Sequence, residues 1–349
     1  MREKDLYLES GYLNIDAIMS TGKPFVFITG GRATGKTYGL LKWIKENNKK
    51  FIFLRRTETQ TSVLGCNDFS PFGALNHDLG WAVRTFTLVK NIKCFCDAIL
   101  DDSDKWVPSG EPLGYLLALS TFANLRGFSA QDVDIVVFDE FCPEARERPI
   151  KDEAGAFENM YETINRNREL QGRPPLVCVC LANSNDLSSP ILESRGLTRI
   201  MSSLAKSGKQ IHEDAKTICI RLNSSPISER KAGTAQYMAT KNDNFKKMAL
   251  NNQFVNDYTD HIRGNQNLQE YIPLCCCGQL SFYRHKHRRE YYCTTIKYGS
   301  FQAVYADTPQ DRRRWLHRYG FLYKHFLDGL MYFSESYTVI LFERYNKRE

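Results

Sequence analysis

Short, wholly apolar runs alternate along this chain with stretches of helical spacing, the rhythm of strands buried on both faces and linked by helices. Residues 25–28 (Phe-Val-Phe-Ile) read as a buried strand broken by glycines, and 39–46 as an amphipathic helix behind it. A second buried strand at 51–54 ends in Arg55-Arg56, and 57–80 is polar and turn-rich. Residues 81–99 alternate weakly, as a meander does, and 115–120 form another short apolar run. An apolar strand over 133–138 runs into Asp139-Glu140. Phe157, Met160, Tyr161 and Ile164 have helical spacing, and 176–181 is an all-apolar strand finishing at Asn183. Leu13, Ile15, Ile18 and Met19 predict a helical lead-in over 1–24. The alternation predicts an α/β fold built on a parallel sheet. Later, 271–282 and 290–297 read as strands.

Two of these strand ends carry chemistry. Gly30, four residues, then Gly35-Lys36-Thr37 complete the pattern G-x-x-x-x-G-K-[ST] between a strand and a helix, the setting that makes it a phosphate-binding loop. Its glycines let backbone amides of Gly30, Gly31, Arg32, Ala33, Thr34, Gly35, Lys36, Thr37 and Tyr38 curl around phosphate oxygens at a helix N-terminus. Lys36 is placed to reach the β and γ phosphates, and the Thr37 hydroxyl to ligate Mg²⁺. About a hundred residues on, Asp139 at the end of its strand matches the acid that holds Mg²⁺, and Glu140 the general base that activates water. ATP and Mg²⁺ are the ligands this pair calls for, and hydrolysis the reaction. Asn183, at the tip of the next apolar strand, stands where a γ-phosphate sensor belongs.

Length and charge refine this picture. At 349 residues the chain suits two domains. No apolar run approaches the roughly 18 residues of a membrane span, and the charged start Met1-Arg-Glu-Lys-Asp is no signal peptide, so a cytosolic location is expected. The eleven cysteines lie mostly within apolar runs, as reduced thiols used as small hydrophobes do. Residues 226–349 hold 19 Lys and Arg against 12 Asp and Glu, whereas 1–225 hold 28 of each. The net charge of +7 therefore sits wholly in the last third, where a polyanionic partner would be met. Cys275-Cys276-Cys277 with His285, His287 and Cys293 raises zinc as a question. Three consecutive cysteines lack the usual C-x₂₋₄-C spacing, and packed strand thiols, Cys275 and Cys277 on one face and Cys276 on the other, are the expectation.

Together these segments resemble the DNA-packaging motor ATPases of small tailed phages, the phi-twenty-nine group of additional-strand catalytic-glutamate ATPases. The likeness runs through Gly30–Thr37, the strand 51–56 with its double arginine, Val136-Val-Phe-Asp-Glu-Phe141, Arg166-Asn-Arg-Glu169 and Cys178–Asn183, and more weakly through Asn251-Asn-Gln-Phe254. The resemblance implies a P-loop NTPase sheet of RecA and terminase type with helices on both faces, followed by a smaller α+β, RNase H-like domain without nuclease activity. The corresponding boundaries are 1–190 for the ATPase, 191–245 for a lid and linker, and 246–349 for the basic domain.

It also implies a function: an ATP-driven double-stranded-DNA translocase working as a homo-oligomeric ring, a pentamer in the family. Such a ring would sit at the capsid portal, with a structural RNA as a further candidate partner, in the host cytoplasm and transiently attached to the procapsid. Arg166 matches the arginine finger that enters the neighbour's site, with Arg168 as the alternative. Arg126, Arg55 and Arg56 are trans-acting or DNA-facing candidates, Arg32 a γ-phosphate contact, and Lys90, Lys93 and Lys105 lie in the excursion expected to supply pore loops. Glu58 departs from the family by standing where a basic residue is expected. Only Glu270 and Glu290 lie on the apparent strands of 270–300, too few carboxylates for a two-metal nuclease. A terminase with a working nuclease, and a nucleotide-switched nucleic-acid-binding protein that does not hydrolyse, are the alternatives.

Overall fold

The computed structural model describes residues 1–89, 92–124, 130–143, 147, 150–183, 187, 189–222, 225–227, 230, 233–241 and 259–346. They fall in two compact units, Met1–Val255 and Asn256–Glu349.

The first unit is organised by one large sheet. Six parallel strands lie in the order β6 (Gly114–Ala118), β2 (Phe51–Arg55), β7 (Ile135–Asp139), β8 (Val177–Asn183), β1 (Phe25–Gly30) and β10 (Thr217–Leu222). Antiparallel β4 (Ile92–Leu100) and β3 (Val83–Val89) extend it beyond β6, and β9 (Ile211–Glu213) beyond β10. Short β5 (Trp106–Pro108) pairs with β4. The central strands are buried along nearly their whole length, which is why they read as unbroken apolar runs. Parallel neighbours need crossovers, and the helices supply them: α2 (Lys36–Glu46) follows β1, and α5 (Glu153–Asn165) leads from β7 towards β8. The parallel α/β expectation therefore holds.

Three local expectations change. The lead-in holds a 3-10 turn at Glu3–Asp5 and a short α-helix, α1 (Ile15–Met19); Gly11, at φ 86°, turns the chain between them, and Tyr7 bridges Leu13. The stretch 57–80 carries two short helices, α3 (Glu58–Leu64) and α4 (Gly73–Leu79). α3 starts at a capping box in which Thr57 and Gln60 satisfy each other's amides, a helix signal inside a polar run. The span 191–245, expected as lid and linker, gives the large sheet β9 and β10 and also contains α7 (Leu197–Ser207). Thr217–Leu222 is apolar enough to be a core strand, and it pairs with the phosphate-loop strand itself.

In the second unit five strands take the order β14 (Ala303–Tyr305), β11 (Tyr271–Cys277), β12 (Leu280–His285), β13 (Tyr291–Thr294) and β15 (Met331–Phe333). Helices Pro309–Tyr319, Phe321–Leu327 and Ser336–Asn346 cover a core centred on Trp315, Phe282 and Phe342. The stretch read as one strand over 271–282 is a hairpin. It turns at Gly278, whose φ of 54° and closeness to the Tyr345 hydroxyl exclude a side chain. Cys275, Cys277 and Cys293 pack in the core while Cys276 faces Ser281, as strand alternation requires. Burial pushes the Cys275 and Cys277 thiols up to about 12, so at neutral pH they pack as protonated thiols. Among the described residues no group of three His, Cys, Asp or Glu is arranged to hold a metal ion.

Candidate active site

The phosphate loop leaves β1 between two constraints. A side chain at Gly30 would strike Leu222 of β10 at 2.6 Å, and Gly35 takes φ 86° as the N-cap of α2. No side chain caps α2, so its first amides face outward as acceptor-seeking donors with the helix dipole behind them. Lys36, its first residue, is buried. Its ammonium folds back on the Gly30 and Gly31 carbonyls (3.0 and 2.7 Å), on Thr34 Oγ1 (3.3 Å) and on Asn183 Oδ1 (3.5 Å). Arg32 and Ala33 are exposed at the loop's crest. Ala33 to Tyr38, Asp139, Glu140, Ala182 and Asn183 line one cleft of about 180 Å³.

β7 and β8 bring the acids and the polar strand tip to that cleft because they run parallel beside β1 and end level with it. The Thr37 hydroxyl donates to Asp139 Oδ1 at 3.1 Å. This spacing fits one divalent cation shared between hydroxyl and carboxylate, and Thr37 and Asp139 are the residues that would hold Mg²⁺. Burial raises the Asp139 carboxyl above its ordinary range, opposed by the Arg55 guanidinium. Glu140 follows in the left-handed region at φ 55°, a strained backbone for a side chain and one that turns it away from the strand line.

Arg55 completes the cluster. From the end of β2 it donates to Asp139 Oδ2 at 2.8 Å and to Glu140 Oε2 at 2.9 Å. Arg55, expected among the trans-acting or DNA-facing candidates, is here engaged with acids of its own subunit: β2 lies next to β7, so its tip meets them. Arg56, the next residue, faces the other way and is 0% exposed. It grips both oxygens of Glu153 (2.6 and 2.9 Å), the first residue of α5, and also pairs with Glu147. No DNA can reach it there. Neither partner was legible in advance, since Glu147 and Glu153 lie about ninety residues away with no spacing to mark them.

The two Asn-Arg candidates separate cleanly. Arg166 is the exposed C-cap of α5, at φ 45°, with its Nε on the Thr163 carbonyl at 3.2 Å. Arg168 is buried; it donates to the Gln131 carbonyl at 2.9 Å and to that of Val133, so it braces the approach to β7 and cannot serve as the alternative finger. Arg126, Lys90 and the Asn251–Phe254 segment lie outside the described residues. In the second unit Glu290 is taken by Arg263 (2.9 Å) and Arg288 (3.5 Å), and Glu270 stands 3.7 Å from His285. The Glu290 carboxylate is thus held by two guanidinium groups. No helix among the described residues is long and apolar enough to cross a membrane.

Comparison with solved structures finds the same fold in the bacteriophage Phi-29 viral genome packaging motor assembly. The TM-score is 0.62 at 18% identity, covering 96% of this chain and 98% of that one. The Phi-28 gp11 DNA packaging motor matches with a TM-score of 0.60 at 18% identity, covering 96% of each chain. A comparison with curated protein sequences finds no match. The family model of the podovirus DNA encapsidation protein (Gp16) matches residues 7–272, a span that takes in the phosphate loop, both strand-end acids and β10. On that match the chain belongs to the podovirus DNA encapsidation protein (Gp16) family.

Proposed function

We propose that this protein is an ATP hydrolase that drives double-stranded DNA into a preformed capsid through the portal vertex, acting as a homo-oligomeric ring of five. The observation that carries the reading is the convergence of Lys36, Thr37, Asp139, Glu140 and Asn183 on one cleft. Phosphates lie along the α2 amides, with Lys36 exchanging its carbonyl partners for β and γ oxygens. A Mg²⁺ held by Thr37 and Asp139 would screen the phosphate charge. Asn183, already in touch with Lys36, senses the γ-phosphate. Glu140 takes the proton of the attacking water once its carboxylate leaves Arg55. Arg166, exposed at the end of α5, is offered to the neighbouring subunit's site. There a guanidinium neutralises charge spreading over the transferred phosphoryl group, worth about 10³–10⁵ in rate in other NTPases.

The basic second unit, with Glu290 held by Arg263 and Arg288, supports a docking role towards a polyanion or an acidic portal surface rather than cutting. An RNase H-like ancestry for it, a structural RNA in the assembly, and residence in the host cytoplasm until capsid attachment belong to the same reading. The test is phosphate release with and without duplex DNA, alongside the mass of the assembly. Stimulation by duplex in a ring is expected. A monomer hydrolysing at an unchanged rate with or without duplex would overturn the reading.

A further inference from the structure

The cleft described above accounts for the phosphates but not for the rest of a nucleotide. At about 180 Å³ it is smaller than the roughly 300 Å³ at which pockets begin to enclose a whole small ligand. The base must therefore lie outside it, and the sheet says on which side. Asp139, Glu140 and Asn183, from β7 and β8, mark the γ-phosphate end. Because β1 lies between β8 and β10, the sugar and base leave towards β10.

Two segments remote in sequence meet on that side. The N-terminal turn is held by buried Leu6 and Leu13 and by the Leu13 amide donating to the Thr34 carbonyl of the phosphate loop at 3.2 Å. Between them Tyr12 lies directly against the loop: a Cβ on Gly35 would stand 3.1 Å from its ring. Yet Tyr12 is 44% exposed, so it is not there to fill a core. The chain leaving β10 then crosses the same turn. Pro226 and Ile227 would meet a Cβ on Gly11 at 3.1 and 3.3 Å, and Ser225 Oγ donates to the Gly11 carbonyl at 3.4 Å.

We propose that Tyr12 is the base-stacking residue of the nucleotide site, holding a nucleobase by its π face on the β10 side of the phosphate loop, with Pro226 and Ile227 bordering the same subsite. The inference rests on the proposed ATP site and adds its base subsite. A flat ring with two side-chain torsions loses little freedom on stacking, and the phenol edge remains in water. Stacking reads the face of a base rather than its edge, so affinity is gained with modest discrimination between purines.

The experiment measures equilibrium binding of Mg·ATP and of Mg·tripolyphosphate, which has the phosphates without the base, to the full chain and to Tyr12→Ala and Tyr12→Phe. Tyr12→Ala is expected to weaken ATP about 5- to 150-fold and to leave tripolyphosphate unchanged, while Tyr12→Phe binds both as the unaltered protein does. Equal loss for both ligands would mean that Tyr12 merely props the loop, and no loss for ATP would mean that the base lies elsewhere; either overturns the subsite. Failure of the unaltered protein to bind either ligand would overturn the proposed ATP site itself, and the subsite with it.

Discussion

Arg55 and Glu140 form an ion pair that the proposed hydrolysis has to break. The guanidinium sits 2.9 Å from Glu140 Oε2 while its other nitrogen holds Asp139 at 2.8 Å. Held there, the Glu140 carboxylate is occupied by Arg55 and must leave it to act as the proposed base. Arg55→Ala is expected to raise duplex-independent phosphate release relative to the stimulated rate, bringing their ratio towards one. A ratio equal to that of the unaltered protein would show that Arg55 only balances charge.

Removing the base itself has a different signature. Glu140→Gln keeps the shape and the Arg55 contact through its amide oxygen but cannot accept a proton. It is expected to bind Mg·ATP within a few-fold of normal and to lose about 10²–10⁴ in turnover, the usual share of general-base catalysis. Single-turnover phosphate release beside equilibrium binding separates the two quantities.

Arg166 is tested by mixing. Arg166→Ala alone is expected to bind ATP normally and to lose about 10³ or more of duplex-stimulated hydrolysis. Assemblies combining Arg166→Ala with Glu140→Gln subunits should recover part of the rate, because some sites then receive an intact finger from one subunit and an intact base from the other. No recovery in mixed rings would confine Arg166 to its own subunit.

Much of this site was legible in the sequence, and the reason is local. Phosphate loop, strand-end acids and Asn183 each sit at the end of a buried apolar strand, and parallel packing alone brings such ends together. What could not be read was orientation across strands. Arg55 and Arg56 are adjacent, both basic, and look alike in sequence. One meets the acids of β7 and the other the first residue of α5, because pairing partners, rather than local pattern, decide where a strand tip points. Arg166 and Arg168 pose the same difficulty: two residues apart on a tight turn, one is exposed and one buried. β10 was hidden for another reason. Its apolar run is separated from β8 by more than thirty residues, with α6 (Pro190–Ser194) and α7 between, so nothing local ties it to β1.

The Arg56–Glu153 pair makes a stability prediction. Both groups are buried; deleting Arg56 leaves Glu153 unpaired in a low-dielectric setting, while deleting Glu153 leaves Arg56 with Glu147 alone. Arg56→Ala is expected to cost about 3–5 kcal/mol in urea denaturation of the first unit and Glu153→Ala less, whereas replacing both together with apolar residues of similar volume should cost much less than Arg56→Ala. Equal losses for single and double replacements would show that the pair contributes packing and little else.

That ion pair fastens the first residue of α5, and Asn165, the last, is fastened by the Leu176 amide, which donates to its Oδ1 at 2.8 Å. The helix has 13 residues, about 20 Å at 1.5 Å each, and Arg166 stands at the far end. A helix tied at both ends transmits a shift of either anchor along its length rather than swinging about one of them. Since Arg55 on the same strand tip touches the acids, a shift of β2 would reach both the acid cluster and, through α5, the residue proposed as the finger.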